Sequence, residues 1–393
     1  MPYKPHVEFA NFTCKFGPYL NLVNLLEEVV IPAMTDTAQV RATSRADYVI
    51  EDATLMNLGD GEDRRLCIVG RFVKDTTYER THIRESGKVK RSERKMSAAL
   101  LSLFVLVLDT HKLIFLHETR DAPGLQAFES TIEYFLRAKY EIFLRALRDS
   151  LVDTQGDKDK VNAALIARDL IPVKESDPGG QGDGVLSNAE AEALADKIEE
   201  ETKTKRKVRA DTLTHLRALV PKPSLMVVPL ASESSLEDFI KSFDILSLVR
   251  ITIGETNDER DYNPFFGEVR KNKTSIGAIR ASLSYVNKEG LNKEDAIEQV
   301  KAVATQGQAR TFVEGKDEYG REKSGDESKF KIKRTIADLA NEDDTHERLR
   351  QLYGAFGEGV VEGTIKLQSV PTSTTEKLNK IKVPDVPKQD AED

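Results

Sequence analysis

The sequence predicts an α+β fold, a mainly antiparallel sheet with helices packed on one face, and three observations carry that expectation. Residues 98–108 are almost continuously apolar; a polar turn at 109–112, a second apolar run at 113–117 and a helical pattern over 125–147 follow, which reads as strand, tight turn, strand, helix. Residues 224–230, 232–243 and 246–253 then read as a β-α-β unit. Turn-forming residues at Gly59-Asp-Gly61 and across 315–320 mark antiparallel hairpins. The central order ββαβαβ allows a ferredoxin-like core, to which a charged helical insertion is added.

Taken in order, residues 7–16 alternate apolar and polar as a half-buried strand does, and Gly17-Pro18 ends it. Leu20, Val23, Leu26 and Val30 have helical spacing, which predicts a helix over 19–31 stopped by Pro32. Residues 47–57 and 65–76 read as a hairpin. The polar stretch 78–95 reads as a loop or extended ribbon leading into the central hairpin. Beyond 149 the composition shifts: 155–160 and 177–184 are solvated linkers, and Ser187-Asn-Ala-Glu190 resembles a capping box. Ser234 and Ser235 are expected to cap the helix over 232–243, 258–273 to be an irregular loop, and 275–286 and 292–305 to be helices. A late hairpin is expected to pair 309–314 with 330–336, before a helix at 345–356 and a closing strand at 360–368. These boundaries predict an N-terminal α+β part (1–150), a charged helical connector (151–222), a C-terminal α+β part (223–368) and a disordered tail (369–393).

Composition narrows the function classes. The 393 residues carry 58 basic and 66 acidic side chains, a net charge of −8, which excludes a uniformly cationic nucleic-acid sleeve but not a local basic patch. Two cysteines, Cys14 and Cys67, without histidines at ligand spacing, fit a reducing compartment and argue against a disulfide scaffold or structural zinc. The absence of a signal peptide, and an apolar run about half the roughly 20 residues a bilayer needs, predict a cytoplasmic protein with no membrane association.

The motifs of common enzymes are missing. There is no phosphate-binding glycine loop followed by Lys-Ser or Lys-Thr, no dinucleotide fingerprint, no nucleophile elbow and no zinc-protease pattern, so neither cofactor nor metal is expected. The six histidines are scattered; His111 and His117 flank one strand and read as a turn residue and a strand-end residue. Asp317, Glu318 and Glu322 near Lys323 could imitate a metal-dependent nuclease centre but fall in a solvated turn. Phe265-Phe266 reads as a core plug.

The stronger lead is 78–95. Arg80, Arg84, Lys88, Lys90, Arg91, Arg94 and Lys95 outnumber three glutamates for a local charge of +4, the spacing of cations that can neutralise successive phosphates, with Tyr78 available to stack a base. A second basic run, 203–209, could act in the same way.

Residues 7–16, Cys67-Ile-Val-Gly-Arg-Phe-Val-Lys74, Thr110-His-Lys-Leu-Ile-Phe115, the segment 225–253 and Gly315-Lys-Asp-Glu-Tyr-Gly320 together resemble an uncharacterised bacterial domain family of unknown function. The resemblance covers about 7–336 and excludes 150–220 and the C-terminal tail. Members of such families often sit beside mobile-element and phage-defence genes, which implies a role in prokaryotic immunity; the family offers no catalytic residues to carry over. The expectation is therefore an accessory component of an antiphage defence system that contacts DNA or RNA through the basic ribbon and joins a protein partner or its own copies. The alternatives are a metal-dependent nuclease with a diverged site and a pure protein-interaction scaffold.

Overall fold

The computed structural model describes residues 4–17, 20–85, 88–151, 157–168, 170–171, 205–254, 264–276, 278, 280–304, 307, 309–336, 339, 344–367 and 369–384, without the side chains of 62, 78–85, 89–95, 205–210, 264–265 and 274–275. Its elements begin with β1 (His6–Phe16), β2 (Leu20–Asn21), α1 (Ile31–Thr35), β3 (Arg41–Ala42), β4 (Asp47–Leu58), β5 (Arg65–Glu85), β6 (Lys88–Val107) and β7 (Lys112–His117). The helices α2 (Leu125–Ser150), α3 (Lys158–Ile166) and α4 (Lys205–Leu219) follow. Then come β8 (Ser224–Pro229), α5 (Glu233–Lys241), β9 (Ile245–Ile253), α6 (Pro264–Ser275), β10 (Ala281–Val286) and α7 (Lys293–Ala304). The chain closes with β11 (Ala309–Lys316), β12 (Glu322–Asp326), β13 (Lys333–Arg334), α8 (Thr345–Val361) and α9 (Thr372–Asn379). The fold mixes helices with antiparallel sheet, as expected. It divides into two compact units, one of Met1–Thr13, Met34–Phe135 and Leu225–Asp393, the other of Cys14–Ala33 and Leu136–Ser224.

The larger unit is built on a sheet of order β13-β1-β7-β6-β5-β4-β3, with β8 also on β1. Both faces are covered, where helices on one face were expected. On one, Phe128 of α2 meets Phe72, Phe104 and Phe115 at ring-centroid distances of 5.3, 5.1 and 5.4 Å. On the other, Leu349, Leu352 and Phe356 of α8 pack on Val7, Phe9, Cys67, Val69, Leu103, Val105, Ile114 and Leu116. The continuous apolar run in β6 is the mark of this two-sided burial, since a strand with one wet face would alternate. Gly70 lets β5 pass a bulge in β4: a Cβ there would lie 2.9 Å from the Ala53 Cβ and 3.0 Å from Phe104 Cζ.

Buried polar groups tie these layers. Lys112, 3% exposed, donates through Nζ to Asn11 Oδ1 at 3.1 Å, and Asn11 Nδ2 donates to Thr13 Oγ1 and to the Gly307 carbonyl. Burial pulls the Lys112 amine down to about 8. Arg348 of α8 forms a buried ion pair with Glu118. Glu129 of α2 accepts from the Val227 amide at 3.2 Å and from the Arg310 guanidinium.

A second sheet, of order β10-β9-β11-β12, packs Leu236 and Ile240 of α5, Phe243 just after that helix, and Ile297, Val300 and Val303 of α7 against Val249, Ile251, Ile253 and Val313. Phe266 is buried in this cluster, the core plug its neighbourhood suggested; the Phe265 side chain is outside the described residues. In the smaller unit, Tyr140 of α2 is buried 6.5 Å from the Phe16 ring and donates its hydroxyl to the Val220 carbonyl at 2.6 Å, and His215 of α4 meets Asn162 of α3 at 2.9 Å.

Several expectations are corrected. The anticipated β-α-β does not form one unit, because β8 pairs with β1 while β9 joins the second sheet; the series ββαβαβ is thereby divided between two sheets. Residues 281–286, expected in a helix, are strand β10: Ser-Leu-Ser-Tyr-Val alternates with period two, and that ladder on β9 outweighs a weak helical pattern. The loop expected at 258–273 gives way at Pro264 to α6, where proline suits a first helical turn. β11 pairs with β12, and residues 333–334 pair with Val7 and Glu8 of β1 instead of closing the late hairpin. Ser232, not Ser234 or Ser235, caps α5 by accepting from the Ser235 amide. Helical structure continues past Pro32 to Thr35, after a π turn at Leu26–Val30 whose wider spacing accommodates a residue without an N–H. α8 runs on to Val361 where a strand from 360 was expected, and the tail contains α9, which buries Leu378. The expected capping box at 187–190 and the linker at 177–184 fall outside the described residues. No described helix is long and apolar enough to cross a membrane.

Candidate functional site

The basic stretch takes the form of a two-stranded antiparallel arm. β5 pairs with β4 only as far as Asp75, and β6 pairs with β7 only from Ser102 onward, yet β5 and β6 stay paired to each other from Thr76↔Ala98 out to Glu85↔Lys88. At about 3.3 Å per residue, residues 76–85 span roughly 33 Å. A register shift between Arg80 and His82 adds a bulge, which strengthens twist and bends a ribbon. All seven basic residues lie on this arm. The register sets Arg80 opposite Arg94, Ile83 opposite Lys90, Arg84 opposite Val89, His82 opposite Arg91, Glu79 opposite Lys95 and Glu85 opposite Lys88. Lys88 is exposed; the side chains of Arg80, Arg84, Lys90, Arg91, Arg94, Lys95 and Tyr78 are outside the described residues. Of the second basic run, residues 205–209 open α4, with their side chains outside the description, as are residues 203–204 altogether.

The turn carboxylates do not converge. Asp317 Oδ1 accepts from the Tyr319 and Arg321 amides at 2.9 and 3.0 Å, and Oδ2 from Arg321 Nε at 2.8 Å. The Arg321 hydrogen bond, more than the opposing loss of solvation, holds the Asp317 carboxyl below its ordinary range. Glu318 and Glu322 are exposed, and Lys323 Nζ donates to Ser242 Oγ at 2.5 Å and lies over the rings of Phe239 and Phe243. These residues shape a hairpin turn.

The histidines are less scattered than their spacing implied. His111 sits in the β6–β7 turn at φ 53° and His117 ends β7, as read from the sequence. The β1–β7 ladder then sets His117 opposite His6, and the strand period puts Glu8 on the same face. Glu8 Oε1 lies 3.1 Å from His6 Nε2, 3.4 Å from His117 Nε2 and 2.5 Å from Lys331 Nζ, and the two imidazoles stack at 4.8 Å with their planes 15° apart. Glu8 is 1% exposed. Burial opposes its charge, but the hydrogen bonds and charges of His117, His6 and Lys331 prevail and hold the carboxyl far below its ordinary range. Sequence reasoning missed this cluster because His6-Val-Glu8 needs a partner 109 residues away, which only strand pairing supplies. The local signal was a His-x-Glu pair opening a strand.

No family model matches the chain. A search of curated proteins likewise finds no match.

Proposed function

We propose that the protein binds the sugar-phosphate backbone of nucleic acid through the arm formed by β5 and β6, as an accessory component of an antiphage defence assembly. One observation carries the reading: a ribbon whose strands, among the described residues, pair only with each other bears seven basic residues in a chain of net charge −8. A two-stranded β-ribbon fits the roughly 12 Å major groove of duplex DNA, and spaced cations along it gain affinity by releasing condensed counterions. The register that sets Arg80 opposite Arg94 suits a phosphate bridged by two guanidinium groups. The defence setting rests on the family resemblance, and genes for a helicase, nuclease or reverse transcriptase beside this one would support it.

Fluorescence anisotropy with duplex DNA, duplex RNA and single strands tests the binding. If all seven cations engage phosphates of duplex DNA, the log–log salt slope is about −6, from roughly −0.9 per contact. Replacing residues 79–95 by a two-residue Asn-Gly turn is expected to abolish binding while leaving the far-UV spectrum of the rest of the sheet in place. Absence of binding at low salt, or binding that survives the excision, refutes the proposal.

A further inference from the structure

The geometry of the first and seventh strands points to a second site, separate from the arm: we propose that His6, Glu8 and His117 hold a divalent transition-metal ion. Two imidazole nitrogens and one carboxylate oxygen form a donor set suited to zinc, manganese or ferrous iron. The donor atoms all lie within 4.8 Å of one another. At metal–ligand distances of about 2.0–2.2 Å, neighbouring donors stand about 3.4 Å apart in a tetrahedron and about 3.0 Å apart in an octahedron. The two histidine-to-Glu8 separations, 3.1 and 3.4 Å, already have these values. To close the triangle the remaining pair of nitrogens needs to approach by at most about 1.4 Å for a tetrahedron and about 1.8 Å for an octahedron. His6 and His117 come from directly opposed ladder positions and Glu8 from the same face, so the backbone of two central strands sets the spacing instead of a loop.

The charge arrangement fits a cation. Glu8 is almost wholly buried, and a buried carboxylate needs a positive partner. In this structure Lys331 supplies one by reaching the same oxygen that faces both histidines. A carboxylate has lone pairs on both oxygens, so the ammonium can move to Oε2 while the metal takes Oε1. Lys331 is thus a competitor whose removal strengthens metal binding, the reverse of what a purely structural ion-pair network requires. The His6 side chain keeps 26% of its surface exposed, which gives an entry path, and three protein ligands leave further coordination positions for water or a substrate oxygen.

The test uses the full chain stripped with chelator and titrated calorimetrically with Zn²⁺ and with Mn²⁺; Co²⁺ absorption reports the coordination of nitrogen and oxygen donors. One high-affinity ion per chain is expected. His117→Ala should weaken it at least 100-fold. His6→Gln, whose side-chain amide can still donate to Glu8 Oε1, should do the same while the apo chain remains folded by far-UV circular dichroism. Lys331→Met should tighten binding about tenfold or more. No stoichiometric binding of either metal, an affinity unchanged in His6→Gln, or weaker binding in Lys331→Met overturns the proposal.

Discussion

Lys112 offers the sharpest energetic test of the fold. Its amine is buried between β7 and β1 with Asn11 Oδ1 as acceptor, and burial draws it from 10.5 to about 8. The native state therefore prefers the neutral amine. The stabilisation associated with that preference is complete above the unfolded value near 10.5 and is lost as pH falls to the folded value near 8. A difference of about 2.5 units at roughly 1.4 kcal/mol each makes the swing about 3 kcal/mol. Lys112→Met removes the titration and leaves Asn11 Oδ1 without this donor, a loss of about 1 kcal/mol. The variant should accordingly be about 2 kcal/mol more stable than the parent at pH 7 and about 1 kcal/mol less stable near pH 10.5. Urea unfolding followed by far-UV circular dichroism at pH 7, 8, 9 and 10, parent against variant, measures this, because the other lysines and tyrosines are common to both. A parent–variant difference that stays flat from pH 7.5 to 10 would refute the reasoning, since it would mean the amine is charged in the native state throughout.

Two further perturbations probe the larger sheet. Glu118→Gln leaves the Arg348 guanidinium buried without its carboxylate, with an expected loss of about 3–5 kcal/mol in urea unfolding at pH 7, largely restored in a Glu118→Gln, Arg348→Met double variant. Gly70→Ala forces a methyl against Ala53 and the Phe104 ring and should cost about 1–3 kcal/mol, read as a lower thermal midpoint; Gly70→Ala combined with Phe104→Leu should recover part of it.

The elements that the sequence discloses are those whose periodicity is strong and local. β1, β4, β5, β6 and β7 stand where alternation or unbroken apolar runs place them, α2 where helical periodicity does, and α7 within the helix expected over 292–305. What escapes is decided by distant partners. Residues 281–286 become a strand because β9 offers an edge, and residues 333–334 leave the late hairpin because β1 offers another. Two-sided burial was written in residues 98–108, yet the helix that covers the second face begins at Thr345, too far along the chain to be matched to it by pattern. The basic residues of the arm were legible as a charge run, and the unpartnered length of β5 and β6 became visible only when β4 and β7 were seen to stop short. The His6–Glu8–His117 convergence depends on one register between β1 and β7; a slip of one residue would send His117 to the opposite face.

The position of β1 has a consequence for how the protein is made. This strand is hydrogen-bonded to β7, β8 and β13, whose residues are synthesised long after it. At about 5–20 residues per second, roughly fifteen to sixty seconds separate the appearance of Val7 from that of Arg334, its partner in β13. During that interval an apolar strand with Val7, Phe9 and Phe12 waits with an open edge, a template for pairing with any neighbouring extended chain. Long-range ladders of this kind slow folding, since loop closure precedes the contacts that reward it. Nascent chains arrested before β13 should accordingly be the aggregation-prone, chaperone-dependent species, and completion of the sheet is timed by translation of its last strand.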